Sequence, residues 1–138
     1  MTQYEQIIGE VAEASGTQIA IESDRVAEIA VDGMIVMVRP TDDVETSVTL
    51  FTVLVDESVN EAQMKKALEM SLFGRETAGG TIGLFLDSLI YSTNQPLEGL
   101  SAQEFAERLV QFAHNAQRIM DTLLPLAEGS ARDAACAF

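Results

Sequence analysis

Residues 64–91, MKKALEMSLFGRETAGGTIGLFLDSLIY, restrict the fold more than any other stretch of the chain. Met64, Ala67, Leu68 and Leu72 fall at i, i+3, i+4 and i+8, one face of a helix. Gly74 stands where a helix stop is expected. Gly79 and Gly80 admit backbone angles that other residues resist. Ile82, Leu84 and Leu86 then alternate with Thr81, Gly83 and Phe85, the period of a strand. Asp87-Ser88 reads as a tight connection and Leu89-Ile90-Tyr91 as the start of a returning strand. A helix, a turn and a strand pair carry no bond-breaking group. They pack and bind.

The rest of the chain is arranged around that stretch. Residues 2–15 read as a helix, opened by a Thr2–Glu5 capping box and closed at Gly16. Tyr4, Ile7, Ile8 and Val11 form its apolar stripe. Residues 19–21 suggest a short extended piece. Residues 26–31 read as a strand with Ile29 and Val31 on one face and Glu28 and Asp32 on the other. Asp32-Gly33 is a strong hairpin signal. The next strand, residues 34–38, ends at Arg39-Pro40. Asp42, Asp43 and Glu45 read as a solvated loop, and residues 48–55 as the longest strand. Its two faces, Val48, Leu50, Leu54 and Phe51, Val53, Val55, are both apolar, so a cover is expected on each side. The chain's own helices supply one cover, and a second subunit or a bound segment the other.

Ser58 with Glu61 is the expected cap of the middle helix, which runs to about Phe73. Asn94-Gln95-Pro96 ends the strand pair. Ser101 with Glu104 opens the longest helix, residues 102–124, whose buried face is Phe105, Leu109, Phe112, Ala113, Ala116, Ile119, Met120 and Leu123. Pro125 is its expected stop. The sequence therefore predicts one α+β domain over 1–125, in the order α-β-β-β-α-β-β-α, with a twisted, mainly antiparallel sheet flanked by three helices. Residues 126–138 are expected to form a flexible tail.

The formal net charge is −14 over 138 residues. Nucleic acid and anionic membrane surfaces repel such a chain. Nothing approaches the roughly 20 apolar residues of a membrane span, and the N-terminus lacks the basic and apolar regions of a secretory signal. The single cysteine, Cys136, excludes an internal disulfide and fits a reducing cytoplasm.

The residue types that carry chemistry do not assemble into a site. His114, the one histidine, has no further ligand at helical spacing, so it reads as a helix-surface residue. Cys136 has no base beside it. Asp42, Asp43 and Glu45 lack the pattern of a calcium loop. Gly74, Gly79, Gly80 and Gly83 lack the spacing and the lysine of a phosphate loop. No nucleophile elbow is present. The sequence therefore predicts no enzyme, no metal and no cofactor. Met34, Met37, Met64 and Met70 fall in the strand and helix segments, where methionine fills cores and also suits adaptable binding surfaces.

Ala67-Leu-Glu-Met-Ser-Leu-Phe-Gly74 followed by Thr77-Ala-Gly-Gly-Thr-Ile-Gly-Leu84 resembles a pattern of the type III secretion chaperones of class I, the Tir chaperone or CesT-like family. That pattern is a helix, "N-L-F", a turn and a small-residue strand entry, with Ser71 here in the place of the asparagine. The strand pair to Tyr91, Pro96-Leu97 and the helix over 102–124 also fit, so the resemblance covers about residues 3–124. It implies a type III secretion chaperone-like fold and a homodimer in the bacterial cytoplasm. It implies a chaperone that binds the N-terminal chaperone-binding region of a secreted effector, keeping it soluble, partly unfolded and competent for export. The secretion ATPase or the export gate would be further partners.

Apolar strand faces and the first helix's stripe offer grooves for effector side chains, and an exposed strand edge offers backbone pairing. The candidate effector contacts are Ile7, Val11, Ile29, Met34, Val36, Leu50, Leu84 and Leu86. Since the middle helix and adjoining strand build the two-fold contact in the family, the resemblance makes Met64, Leu68, Leu72, Phe73, Ile82 and Leu84 the dimer candidates. Two other functions compete. A regulatory module of the same fold would capture a folded secretion regulator, and a small-ligand or enzymatic domain would show a polar-lined pocket and turnover.

Overall fold

Helix α1, Gln3–Ser15, begins where Thr2 and Glu5 close a reciprocal capping box and ends at Gly16, whose φ of 69° is the left-handed cap of a helix. The chain then builds strands β1 (Ala27–Val31), β2 (Met34–Pro40) and β3 (Ser47–Val55), helix α2 (Glu61–Ser71), a 3-10 turn at Leu72–Gly74, strands β4 (Thr81–Phe85) and β5 (Ser88–Pro96), and helix α3 (Ala102–Cys136). The computed structural model describes residues 2–56 and 58–136, with side chains described as far as residue 126. The strands form one antiparallel sheet in the order β1-β2-β3-β5-β4, which leaves β1 and β4 at the edges. The predicted order of elements is the observed one.

The chain divides into two compact units, Met1–Thr52 with Thr93–Ala113 and Val53–Ser92 with His114–Phe138. In the first, Asp32-Gly33 makes the predicted two-residue hairpin, with φ of 49° and 81°. Both central residues of this favoured turn need positive φ. The turn sets the register Val31↔Met34, Ile29↔Val36 and Ala27↔Val38. Ala27, Ile29 and Val31 thus share a buried face with Val36, Val38, Val48 and Leu50. The Tyr4, Ile7, Ile8 and Val11 stripe of α1 is buried, as are Phe105, Leu109 and Phe112 of α3.

In the second unit the cap of α2 is not Ser58–Glu61. Asn60 Oδ1 accepts from Gln63 N at 2.8 Å, and Asn60 N donates to Gln63 Oε1 at 3.0 Å. The same side chain's Nε2 donates to Leu123 O at 3.2 Å, and Gln63 is fully buried. Two overlapping capping boxes compete in the sequence. The one formed is the one whose glutamine also donates to a buried carbonyl of α3, an added bond that the exposed Ser58–Glu61 alternative lacks. Tyr91 OH donates to Thr77 O at 2.6 Å, and Arg118 donates to Glu76 O at 3.0 Å, which ties the loop after α2 to β5 and α3.

Three other expectations change. Residues 19–21 contribute only an isolated bridge, Ile21↔Ala27. β3 is buried throughout on one face, while on the other Thr49, Phe51 and Val53 are half-exposed and only Val55 is buried. α3 does not stop at Pro125 but stays helical to Cys136. Pro125 is exposed, and a proline removes one backbone hydrogen bond without forbidding the helix beyond it. The expected tail, residues 126–138, is therefore helical as far as Cys136, while the side chain of Cys136 lies outside the described residues.

Candidate functional site

Among the described residues, the first unit carries a larger and a smaller groove. The larger, about 520 Å³, follows the β1 edge. Its floor is apolar, with Val11 of α1, Ile19, Ile29 and Val31 of β1, and Leu109 and Val110 of α3; Glu28, Ala30, Asp32 and Ile35 line its other wall. In a two-residue hairpin the pair beside the turn is hydrogen-bonded, and bonded pairs alternate with unbonded ones. Ala30, opposite Ile35, falls on an unbonded pair, so its N–H and C=O point away from β2, toward the groove side. The smaller groove, about 320 Å³, is more polar and lies between Gln3, Gln6, Ile7 and Glu10 of α1 and the segment Leu97, Gly99, Leu100 and Ser101.

A charged clasp fixes the start of α1. Arg25 Nε donates to Glu45 Oε2 at 2.7 Å, a second guanidinium nitrogen reaches Oε1, and Thr2 Oγ1 donates to Oε1 at 2.7 Å. Arg25 also lies 3.6 Å from Glu5 and over the Tyr4 ring. Hydrogen bonding to Arg25 holds the Glu45 carboxyl below the usual carboxylate range. The Tyr4 hydroxyl lies 2.7 Å from Arg25 O and 3.0 Å from Val38 O, and burial pushes its pKa up to about 12. The acidic loop is thus only partly solvated. Glu45, read from sequence as a surface acid, is buried and anchors the clasp. Its one sequence clue is the scarcity of bases, with Arg25, Arg39 and Arg108 in this unit against thirteen acids.

The second unit exposes Leu68, Leu72, Phe73, Leu84, Phe85 and Leu86. α2 packs against β4, so these residues lie on adjoining elements. Phe73, 88% exposed, has φ of 60°, and Leu86, 80% exposed, has φ of 54°. A bulky residue in the left-handed region is strained by about 1–3 kcal/mol. Two bulky apolar side chains are therefore held outward on strained backbone. Monomers rarely expose contiguous apolar patches beyond a few hundred Å².

The predicted effector contacts separate. Val36 and Leu50 are fully enclosed in the core. Val11 and Ile29 are nearly buried but floor the larger groove, and Ile7 floors the smaller one. Met34 is half-exposed at the end of the hairpin. Leu84 and Leu86 sit in the exposed patch, Leu86 in the β4–β5 turn and not on the strand, because Phe85 pairs with Ser88. Of the predicted dimer contacts, Leu68, Leu72, Phe73 and Leu84 are exposed together, with Met64 and Ile82 half-exposed beside them. Sequence reasoning missed Phe85, whose strand position hid that its face is open, and Ala30, too small to signal anything.

No helix among the described residues is long and apolar enough to cross a membrane. The model of the Tir chaperone protein (CesT) family matches residues 6–120. Among curated proteins none matches. Solved structures share the fold. The structure of the Yersinia pestis type III secretion chaperone SycH in complex with a stable fragment of YscM2 is similar with a TM-score of 0.62 at 17% identity, covering 84% of this chain and 98% of that one. The ExsC–ExsE complex gives a TM-score of 0.72 at 12% identity, covering 89% and 97%. The ExoT–SpcS complex from Pseudomonas aeruginosa gives 0.61 at 19% identity, covering 84% and 96%.

Proposed function

Because the chain belongs to the Tir chaperone protein (CesT) family, we propose that it binds the N-terminal chaperone-binding region of a secreted effector in the bacterial cytoplasm and keeps it soluble, partly unfolded and competent for export. The observation that carries this reading is the apolar groove beside the outward-facing backbone of Ala30. An extended segment laid there gains backbone hydrogen bonds from the edge and apolar contacts from the floor, the two terms that strand addition needs. Ordering an extended segment costs several kcal/mol, so its contacts must be spread over a long surface. The similar SycH, ExsC–ExsE and ExoT–SpcS structures are complexes, which supports a protein partner.

Within this reading Val11 and Ile29 meet the effector in the larger groove and Ile7 in the smaller. Leu68, Leu72, Phe73 and Leu84, flanked by Met64 and Ile82, form the contact of a homodimer, together with Phe85 and Leu86. The reading needs no catalytic step and no cofactor. It is tested by capture from a secretion-competent bacterium followed by co-expression. The captured protein's N-terminal region should become soluble with this chain and lose that solubility with Ile29→Asp. Capture of a folded protein that needs no help to stay soluble would replace the proposal with the regulatory-module reading.

A further inference from the structure

The chain turns back on itself just before β1. Glu22 N donates to Val26 O at 3.1 Å and Arg25 N to Glu22 O at 2.8 Å, with Arg25 at a φ of 68°. Ile21 then bridges Ala27 in antiparallel sense, while residues 17–20 are not strand. Continued in the same register, the pairing would set Ala20 against Glu28, Ile19 against Ile29 and Gln18 against Ala30. Two independent features fit that continuation. Glu22 and Val26 face each other as a bonded pair, so alternation makes Ala20–Glu28 and Gln18–Ala30 the next bonded pairs. The β1–β2 register separately turns the N–H and C=O of Ala30 to this same side. Opposed residues also share a face. Ile19 and Ile21 therefore fall with the buried Ile29 and Ala27, and Gln18 and Ala20 with the exposed Ala30 and Glu28.

We propose that residues 18–20 are a strap that closes on the free edge of β1, pairing Ala20 with Glu28 and Gln18 with Ala30, and so occupies the backbone groups that an effector segment needs. The closure stands on this chain alone; only the competition rests on the effector-binding reading. In the structure the bridge at Ile21 is formed, and Thr17, Gln18 and Ile19 line the larger groove together with Ile29, Ala30 and Val31. Both ends of the strap are held. Thr17 N donates to Ala12 O at 3.0 Å in the cap of α1, and Ile21 sits in its bridge. Thr17 falls on an unbonded position of the continued ladder, so closure leaves that cap bond intact. Closure pairs an open edge that otherwise invites association, and it brings the half-exposed Ile19 over Ile29. Two bonded pairs make a short ladder that opens easily, and a longer effector segment displaces it.

Amide exchange tests the strap without a ligand. Gln18→Pro removes the N–H that would bond Ala30 O. The Ala30 amide should exchange about three- to tenfold faster in this variant than in the unchanged chain, with circular dichroism confirming that both are folded. Equal exchange in the two would overturn the strap. Cross-linking tests the register. Gln18→Cys with Ala30→Cys, in a Cys136→Ser chain, should form a disulfide on mild oxidation, because a bonded antiparallel pair brings its Cα atoms to about 5.5 Å. Ala20→Cys with Ala30→Cys, out of register, should cross-link far more slowly, and equal rates would overturn the pairing. Random peptides selected by display on the reduced Gln18→Cys, Ala30→Cys chain then test the competition. They should bind at least about tenfold more weakly once the disulfide forms, and recover with reductant. Unchanged or tighter binding to the cross-linked form would overturn the competition and leave effector binding standing. If no peptide is enriched on the reduced chain, effector binding at this groove falls and the competition with it, while exchange and cross-linking still decide the strap.

Discussion

In the unit Met1–Thr52 with Thr93–Ala113, the exposed large apolar residues among those described are Ile35 on β2, Val44 in the β2–β3 loop and Val110 on α3. In the unit Val53–Ser92 with His114–Phe138, exposed leucines and phenylalanines gather on α2, the following turn and the β4–β5 hairpin. The first unit also carries most of the negative charge. Its three basic residues face thirteen acids, whereas the second has five against nine. One unit thus shows recessed grooves and scattered apolar exposure, the other a cluster of open apolar side chains. A recessed apolar floor under a charged rim suits an extended, exchangeable ligand. An open patch of large side chains suits a permanent contact.

The largest effect separates core from patch. Leu50→Ala should lower unfolding free energy by about 3 kcal/mol, since the enclosed leucine leaves a cavity. Phe73→Ala should change intrinsic subunit stability by less than about 0.5 kcal/mol, while sedimentation shows a dimer falling to a monomer. Denaturant unfolding across protein concentrations separates the two. Equal stability losses for both variants, with association unchanged, would erase the contrast between the units.

Gln63→Ala should cost about 2 kcal/mol, because it removes one arm of the α2 cap and the bond from Gln63 Nε2 to Leu123 O. Thermal unfolding measures it. Ser58→Ala, at the cap expected from sequence but not used, should be silent. Leu86→Gly tests whether strain serves contact. With φ at 54°, glycine should raise the stability of the isolated subunit by about 1 kcal/mol while weakening self-association.

The smallest effect belongs to the clasp. Glu45 has its folded-state pKa below the ordinary 4.5, so its contribution is fully present above that value and is lost as pH falls through the folded pKa. Melting of Glu45→Gln across the acid range should therefore show a shallower decline than the unchanged chain. Tyr4 acts at the other end. Its raised value makes stability fall as pH climbs from 10 toward about 12, and Tyr4→Phe should flatten that limb.

Much of the fold was readable because local signals agreed with one another. Thr2–Glu5, Gly16, Asp32-Gly33 and Ser101–Glu104 each act where their chemistry places them. Signals failed where two local solutions were equally good or a distant group decided. Asn60–Gln63 displaced Ser58–Glu61 through a bond to Leu123, and Pro125 stayed inside α3. The site was less readable than the fold. Periodicity marks a residue as apolar but does not say which face is covered, so Val36 and Leu50 looked as available as Leu84.

By itself the sequence determined the order of elements, the hairpin register and the acidity, since each depends on neighbours a few residues apart or on composition alone. Only the tertiary structure decided which apolar face is interior, that Glu45 is a buried partner of Arg25, and that Glu28, Ala30 and Asp32 border a groove floored by α1 and α3. Those outcomes depend on segments far apart in the chain meeting in space, and burial and pairing are properties of that meeting and not of any residue's own identity.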